Sequence, residues 1–443
     1  MRIGILGAGV SGMTAAWLLQ HDHQVTLFEK ASRIGGHVES VPVTLGGATV
    51  HGELGTRFFF DSAYPYFLSL LRLLEVPTRW TNLTVCVTEV ARAASFALPP
   101  RSPRHVLGLM RSPRFVRHLL SLRRMIEQQR GGSLERNSRL TLREHLAQGG
   151  YPAAFGPEFA YPFLSACWGA PLKMIPDFPL YSLLKGMPPG RRPGTHEIEG
   201  GMSRYLEALR KDLPRVDLRL GVEVRSLQRQ DGFTVEDASG ARHSFDQLIL
   251  ATTSREAAEL LRGAPELAPL QAAVGAFQHW ETETVVHGDP AFMPPDRRDW
   301  AHNNLFFEGD QAWMTDWQGL RAGLPVFRTW LPKGRPLPSP LYGRRSYHHV
   351  LMSSATTRLQ SELVAQQGAL GVWLTGMYCV DVDNHESALL SALVPARALA
   401  PESPNLRRLL KGVAADAVHS LDILPKRQPA PEPAASPNQS ANA

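Results

Sequence analysis

Gly7, Gly9 and Gly12 have the spacing G-x-G-x-x-G, and the acid Glu29 follows in the same stretch. Glycines so spaced can bind the diphosphate of a dinucleotide. Gly7 allows a tight turn, Gly9 lets the main chain approach the pyrophosphate, and Gly12 lets a helix pack close to a strand. Val10 and Ser11 lie within the glycine turn just before the helix, and at the helix N-terminus unpaired N–H groups and the helix dipole favour a negative ligand. Glu29 is placed to accept hydrogen bonds from ribose hydroxyls. Three elements must position these groups. Ile3, Ile5 and Leu6 predict a strand, Met13 to Gln20 a helix, and Gln24 to Phe28 a second strand ending at Glu29. Strand, glycines, helix, strand and acid in that order predict a βαβ dinucleotide unit.

The next residues are Lys30, Arg33, Gly35, Gly36 and His37. The pattern R-x-G-G directly after the second strand separates flavin enzymes from simple nicotinamide dehydrogenases. Gly35 and Gly36 let the main chain turn beneath a long cofactor, and Arg33 offers a fixed positive charge beside it.

With these motifs the chain resembles the FAD-dependent amine-oxidase-like superfamily, which includes amine oxidases, protoporphyrinogen oxidase and carotenoid desaturases. The segment around Gly55, Thr56 and Arg57 resembles the loop that passes the flavin ring. Glu199 to Leu206 resembles the family's GG-x-x-x-L helix start. The resemblance puts the main chain of Val224 against the adenine end of FAD. Ala251 and Thr252 resemble the returning strand end beside the cofactor. Gly376, Met377, Asn384, His385 and Glu386 resemble the last cofactor element, where a strand end meets the ribityl chain and a helix N-terminus points at the flavin pyrimidine ring. Two departures point away from ordinary amine oxidation. Asn384 stands near the position of an aromatic cage residue. The strand Thr282 to Asp289, matched to one carrying a lysine that reaches flavin N5 through water, contains His287 and no lysine. Met377 also replaces an acid that binds the ribityl chain in many relatives, so either Asp381 or Asp383 substitutes or the contact is absent. Within the superfamily the chain is most similar to bacterial predicted NAD/FAD-binding oxidoreductases linked with modified lipid metabolism.

The resemblance implies an α/β fold: a Rossmann-like FAD domain of the glutathione-reductase/amine-oxidase type with an α+β substrate domain. The FAD domain is expected at 1–80, 195–260 and 365–415, and the substrate domain at 81–194 and 261–364. Val216 to Leu220 and Val222 to Leu227 read as a strand pair. Trp300, Phe306, Phe307, Trp313, Trp317, Phe327 and Trp330 suit a sheet packed over a pocket, with most of them in the core, and 169–190 is expected to border that pocket. Residues 101–143 mix arginines with apolar residues and predict two basic amphipathic helices separated by Pro113. These form either a helical lid or, over 101–130, a peripheral contact with an anionic membrane. Residues 426–443 have the composition of a disordered tail.

Composition narrows the function. The formal net charge is +6, with no nucleic-acid-binding module beside it. Cys86, Cys167 and Cys379 are odd in number and far apart, which suits a reducing compartment, and the N-terminus does not read as a secretory signal, so a cytoplasmic protein is expected. No apolar run approaches the roughly 20 residues that span a bilayer. His348 and His349 are adjacent and read as surface histidines, without metal-ligand spacing.

The expected activity is two-electron dehydrogenation (desaturation) of a lipophilic small molecule, with hydride transfer to flavin N5 and oxygen or another acceptor reoxidising the flavin. His385 is the leading polar candidate beside the ring, with Tyr378, Trp168 and His287 as further pocket candidates. Amine oxidation, redox-neutral isomerisation and a non-catalytic flavin-binding role remain as alternatives.

Overall fold

A computed structural model describes residues 1–130, 140–185 and 194–413. The tail at 426–443 lies outside the described residues. A five-stranded sheet runs in the order Val216–Leu220, Gln24–Glu29, Arg2–Leu6, Gln247–Leu250, Val372–Leu374, every neighbouring pair parallel. Its three central strands carry the buried apolar residues Ile3, Ile5 and Leu6, Val25, Leu27 and Phe28, and Leu248 to Leu250, because both of their faces are covered, as in parallel sheets generally. The register sets Leu6 beside Phe28 and Leu250, and Leu250 beside Leu374. Gly7, Glu29, Ala251 and Gly376 therefore arrive together at the carboxyl edge, where ligands of open α/β sheets bind.

The helix Val10–Leu19 is buried along its whole length. It lies between this sheet and the helix His385–Leu399, which continues through Pro395. An apolar helix without a polar face suits such a site. The predicted strand pair at 216–227 is not a pair. After Leu220 the chain turns at Gly221 (φ +71°), and Val224–Arg229 joins a separate antiparallel sheet with Phe233–Asp237 and Arg242–Phe245.

The second large sheet has seven strands in the order Leu341–Val350, His279–His287, Phe327–Leu331, Gln311–Trp317, Asn303–Glu308, Val85–Glu89, Ala94–Leu98. One core fills the region around the parallel sheet and another lies between the seven-stranded sheet and the helices before residue 185. The basic region forms Pro103–Met110 and Pro113–Arg130, followed by Leu142–Gln148. Pro113 opens the second helix rather than interrupting one, consistent with proline at a first helical position. Phe115, Leu122 and Met125 turn into the second core. Among the described residues no helix is long and apolar enough to cross a membrane.

Candidate active site

A cavity of ≈1510 Å³ runs from the edge of the parallel sheet to the seven-stranded sheet. It exceeds the roughly 300–1,000 Å³ of ordinary small-molecule pockets. Its first end is lined by main chain. Gly7 has φ +106°, and a Cβ there would lie 2.6 Å from the Ala251 carbonyl oxygen. A Cβ on Gly12 would lie 1.9 Å from the Gly7 carbonyl oxygen, so only glycine permits this crossing of helix and turn. A Cβ on Gly9 would meet nothing within 4 Å, because Gly9 faces the cavity. Glu29 is fixed on the floor: its carboxylate accepts from the N–H groups of Ala8 (2.8 Å) and Ala31 (2.9 Å).

Val10, Ser11, Lys30, Gly35, Gly36, His37, Gly55, Thr56, Arg57, Val224, Thr252, Gly376, Met377, Asn384 and His385 line the same space. Asn384 caps the helix His385–Leu399, its Oδ1 accepting from the Ser387 N–H at 2.8 Å. The N–H groups of His385 and Glu386 have no intrahelical partner, as at any helix start. Gly376 donates its N–H to Ser391 Oγ at 2.8 Å, tying the strand end to that helix.

The far end is a chamber of side chains that includes Leu83, Val85, Phe163, Cys167, Trp168, Met314 and Trp330. The charged groups beside it are paired. Arg328 reaches Asp316 at 2.8 Å and lies over the Trp330 ring at 4.3 Å. Arg57 reaches Glu197 at 3.1 Å. Burial pushes the Glu197 carboxyl up, but Arg57 and Arg79 outweigh this and hold it down at about 2.

The sequence profile of the flavin-containing amine oxidoreductase family matches residues 10–362, most of the chain. The chain belongs to this family. It is an FAD-dependent oxidoreductase. No curated protein sequence matches it. Its fold is similar to that of a CLA-producing fatty acid isomerase from P. acnes (TM-score 0.67, 14% identity, covering 90% of this chain and 99% of the other). It is also similar to an oxidoreductase from Methanosarcina mazei (0.61, 13%, 89% and 99%) and to a putrescine oxidase double mutant (0.58, 14%, 89% and 98%). The cavity fits the family's cofactor. Gly9 leaves open space where a diphosphate would approach, and Nε2 of both His37 and His385, on its wall, lacks a partner among the described residues.

Several expected site residues of this oxidoreductase have other roles. His287 is off the cavity and fully buried, its Nε2 2.8 Å from Thr329 Oγ1 and its Nδ1 accepting from the Asp289 N–H. The strand alternation turns it into the core. Glu386 also lies off the cavity. Its two oxygens accept from the N–H groups of Tyr66 (2.8 Å) and Phe67 (2.9 Å), capping the helix Pro65–Leu73. Arg33 does not offer a free charge, because it binds the carbonyls of Ile34, Gly36 and Val38 and the Glu39 carboxylate, holding its own loop. Asp381 pairs with Lys185, away from the cavity, whereas Asp383 lines it. Of the seven aromatic residues from Trp300 to Trp330, only Trp330 lines the cavity; of the stretch 169–190, residues 169–185 do not border it and 186–190 lie outside the described residues.

Trp168 lines the chamber and donates Nε1–H to the Leu183 carbonyl at 3.2 Å. Tyr378 lines the cavity beside Phe277, and burial pushes its hydroxyl well above the usual range. His385 packs edge-on to Phe67 and Tyr205, and burial together with His37 pushes it down to about 3, so it stays neutral. His349, expected at the surface, lines the cavity with its Nδ1 2.8 Å from Asp383 Oδ2. No local sequence signal marks this pair, because 34 residues separate its members.

Proposed function

We propose that this oxidoreductase dehydrogenates an acyl chain or a similarly lipophilic molecule held in the chamber. The observation that carries this is the continuity of the cofactor cradle with an apolar chamber whose bordering charges neutralise each other. Removing a lipid-like chain from water into such a chamber stabilises it by roughly 0.8 kcal/mol per buried CH₂. Bound FAD supplies the redox chemistry, accepting a hydride from a substrate carbon at N5. The N–H groups at Gly9 to Ser11 would hold the diphosphate, Glu29 the ribose, the Val224 main chain the adenine, and Gly376 and Met377 the ribityl chain. The start of the helix His385–Leu399 lines the cavity, and its positive end would favour negative charge on a reduced flavin ring held there. A role in amine oxidation is disfavoured, since among the described lining residues the one lysine is Lys30, beside Glu29 and paired with Glu256.

The test is anaerobic mixing of the purified enzyme with palmitate, oleate and linoleate, as free acids and as thioesters, and with putrescine and benzylamine. Bleaching of the flavin band by an acyl compound is the expected result. Bleaching by amines alone overturns the proposal. A second reading, redox-neutral isomerisation, draws on the fold similarity to the fatty acid isomerase. It predicts conversion of linoleate without oxygen consumption or lasting bleaching.

The same proposal includes the source of the substrate, a peripheral contact with an anionic membrane through 101–130. Val106, Leu107, Met110 and Leu120 are exposed at 47, 44, 74 and 59%. No carboxylate occurs between Arg101 and Ile126, and among the described residues Arg111 and Arg117 have no ion-pair partner. An apolar patch rimmed by unpaired cations suits an anionic lipid surface.

A further inference from the structure

Five histidines line the cavity among the described residues: His37, His279, His348, His349 and His385. Only His349 has a carboxylate on one ring nitrogen while the other lacks a partner. We propose that His349, oriented by Asp383, is the proton-transfer residue of the reaction, a role that rests on the dehydrogenation reading above.

Asp383 Oδ2 lies 2.8 Å from His349 Nδ1, and the Asp383 side chain is 1% exposed. A carboxylate can only accept, so Nδ1 carries the proton of the neutral ring and Nε2 keeps the lone pair. The ring is clamped as well. It stacks on Trp280 at 5.2 Å and 25°, with Trp330 at 6.1 Å and His37 at 6.3 Å. Nε2 is buried without a partner among the described residues. Leaving such a group unmatched is costly, which a purely structural ion pair does not explain.

The position suits the task. Asp383 directly precedes Asn384, the cap of the helix at the cofactor cradle. His349 belongs to the edge strand Leu341–Val350, and its neighbour Trp330 faces the chamber. The pair therefore stands where cradle and chamber meet. The other histidines are less suited. His279 Nε2 is 3.0 Å from Ser254 Oγ, His348 is exposed, and among the described residues neither His37 nor His385 has a carboxylate hydrogen-bonded to its ring.

Dehydrogenation removes a hydride and a proton. The hydride leaves one substrate carbon for the flavin with the pair of its C–H bond. The neighbouring C–H bond breaks, its electron pair becomes the new π bond, and its proton goes to His349 Nε2. Two electrons pass from substrate to flavin, and the proton later leaves His349 for solvent. A carbonyl next to the breaking C–H bond would delocalise its electron pair and make that hydrogen more acidic than others of the acyl chain.

The first test needs no substrate. In ¹⁵N-histidine-labelled holoenzyme, the signal missing from His349→Gln should report an Nδ1–H tautomer, which Asp383→Asn should disturb. An Nε2–H tautomer overturns the proposal. The second test uses whichever panel compound bleaches the wild-type flavin. His349→Ala should reduce its flavin about a hundredfold or more slowly, the usual scale of positioned proton transfer. FAD content and substrate affinity should stay unchanged, and added imidazole should restore part of the rate. A rate within threefold of wild type, or no rescue despite full FAD content, overturns it. A loss of FAD in His349→Ala would point to a structural role and also overturns it. If nothing on the panel bleaches the wild-type flavin, the dehydrogenation reading falls, and with it the proton-transfer role, while the tautomer still decides whether the oriented pair exists.

Discussion

At the nucleotide end of the cavity the wall is main chain, and at the chamber end it is side chain. Gly7, Gly9 and Gly12 bind by what they lack, and a single Cβ on Gly12 would lie 1.9 Å from a carbonyl oxygen. Phe163, Trp168, Met314 and Trp330 act by bulk, which other apolar residues of similar volume could supply. A cradle made of main chain admits one residue type at fixed positions. A chamber made of side chains admits many, so chemistry can change there while the cofactor stays.

Gly12→Val tests the sharper side of this contrast and should have the largest effect. The added side chain has to separate the helix Val10–Leu19 from the turn at Gly7. Purified protein should be colourless after incubation with FAD, or should not fold at all. Normal flavin absorbance in this variant would remove the claim that main-chain contact builds the cradle.

Glu197→Gln tests how far the side-chain side depends on charge. Glu197 binds Arg57, Arg79 and Arg321, and its side chain is 5% exposed. Arg57 is also nearly buried, at 10%, so it forms the enclosed pair, while the ion pairs of the more exposed Arg79 and Arg321 are weakened by solvent. Breaking a buried pair leaves the remaining charge uncompensated, so urea unfolding at pH 7 should show a loss of about 3 kcal/mol. The pH dependence has a defined sign. The carboxyl is held at about 2 in the folded chain, from 4.5 ordinarily. Its stabilisation is therefore complete above about pH 4.5 and lost as pH falls through about 2. The gap between wild type and variant should be flat from pH 5 to 8 and close on acidification. A gap that widens in acid would contradict the assignment.

The same contrast explains what was legible in the sequence. The βαβ unit could be read because steric necessity fixes residue type and spacing within one short stretch. The segment after Val216 could not be placed, because strand alternation does not name a partner and the chain changes sheets at Gly221. His287 has the residue type for a site but the wrong face of its strand. His349 looks like a surface residue beside His348 until the edge strand meets the loop before Asn384. Glu386 stands at the start of a cofactor-facing helix, yet its carboxylate serves another helix. Sequence order conveys main-chain constraints well, and side-chain encounters across the fold poorly.

The smallest expected effect lies outside the cavity, where the proposed membrane contact would supply the chamber. Arg111→Glu with Arg117→Glu should reduce flotation with phosphatidylglycerol vesicles at low salt. Each basic residue near an anionic surface contributes roughly 1 kcal/mol, and charge reversal at two positions should lower binding by more than tenfold. High salt should weaken wild-type binding toward the variant, since screening shortens the reach of these charges. Flavin content should be unchanged, because Arg111, at the end of the helix Pro103–Met110, and Arg117, on the helix Pro113–Arg130, do not line the cavity. If wild type does not float at low salt, the contact is absent, and the exposed Val106, Leu107 and Met110 require a different partner. If flotation survives high salt and the double substitution, apolar insertion rather than charge holds the protein at the surface. In that case Met110, the most exposed of the four at 74%, is the next residue to change.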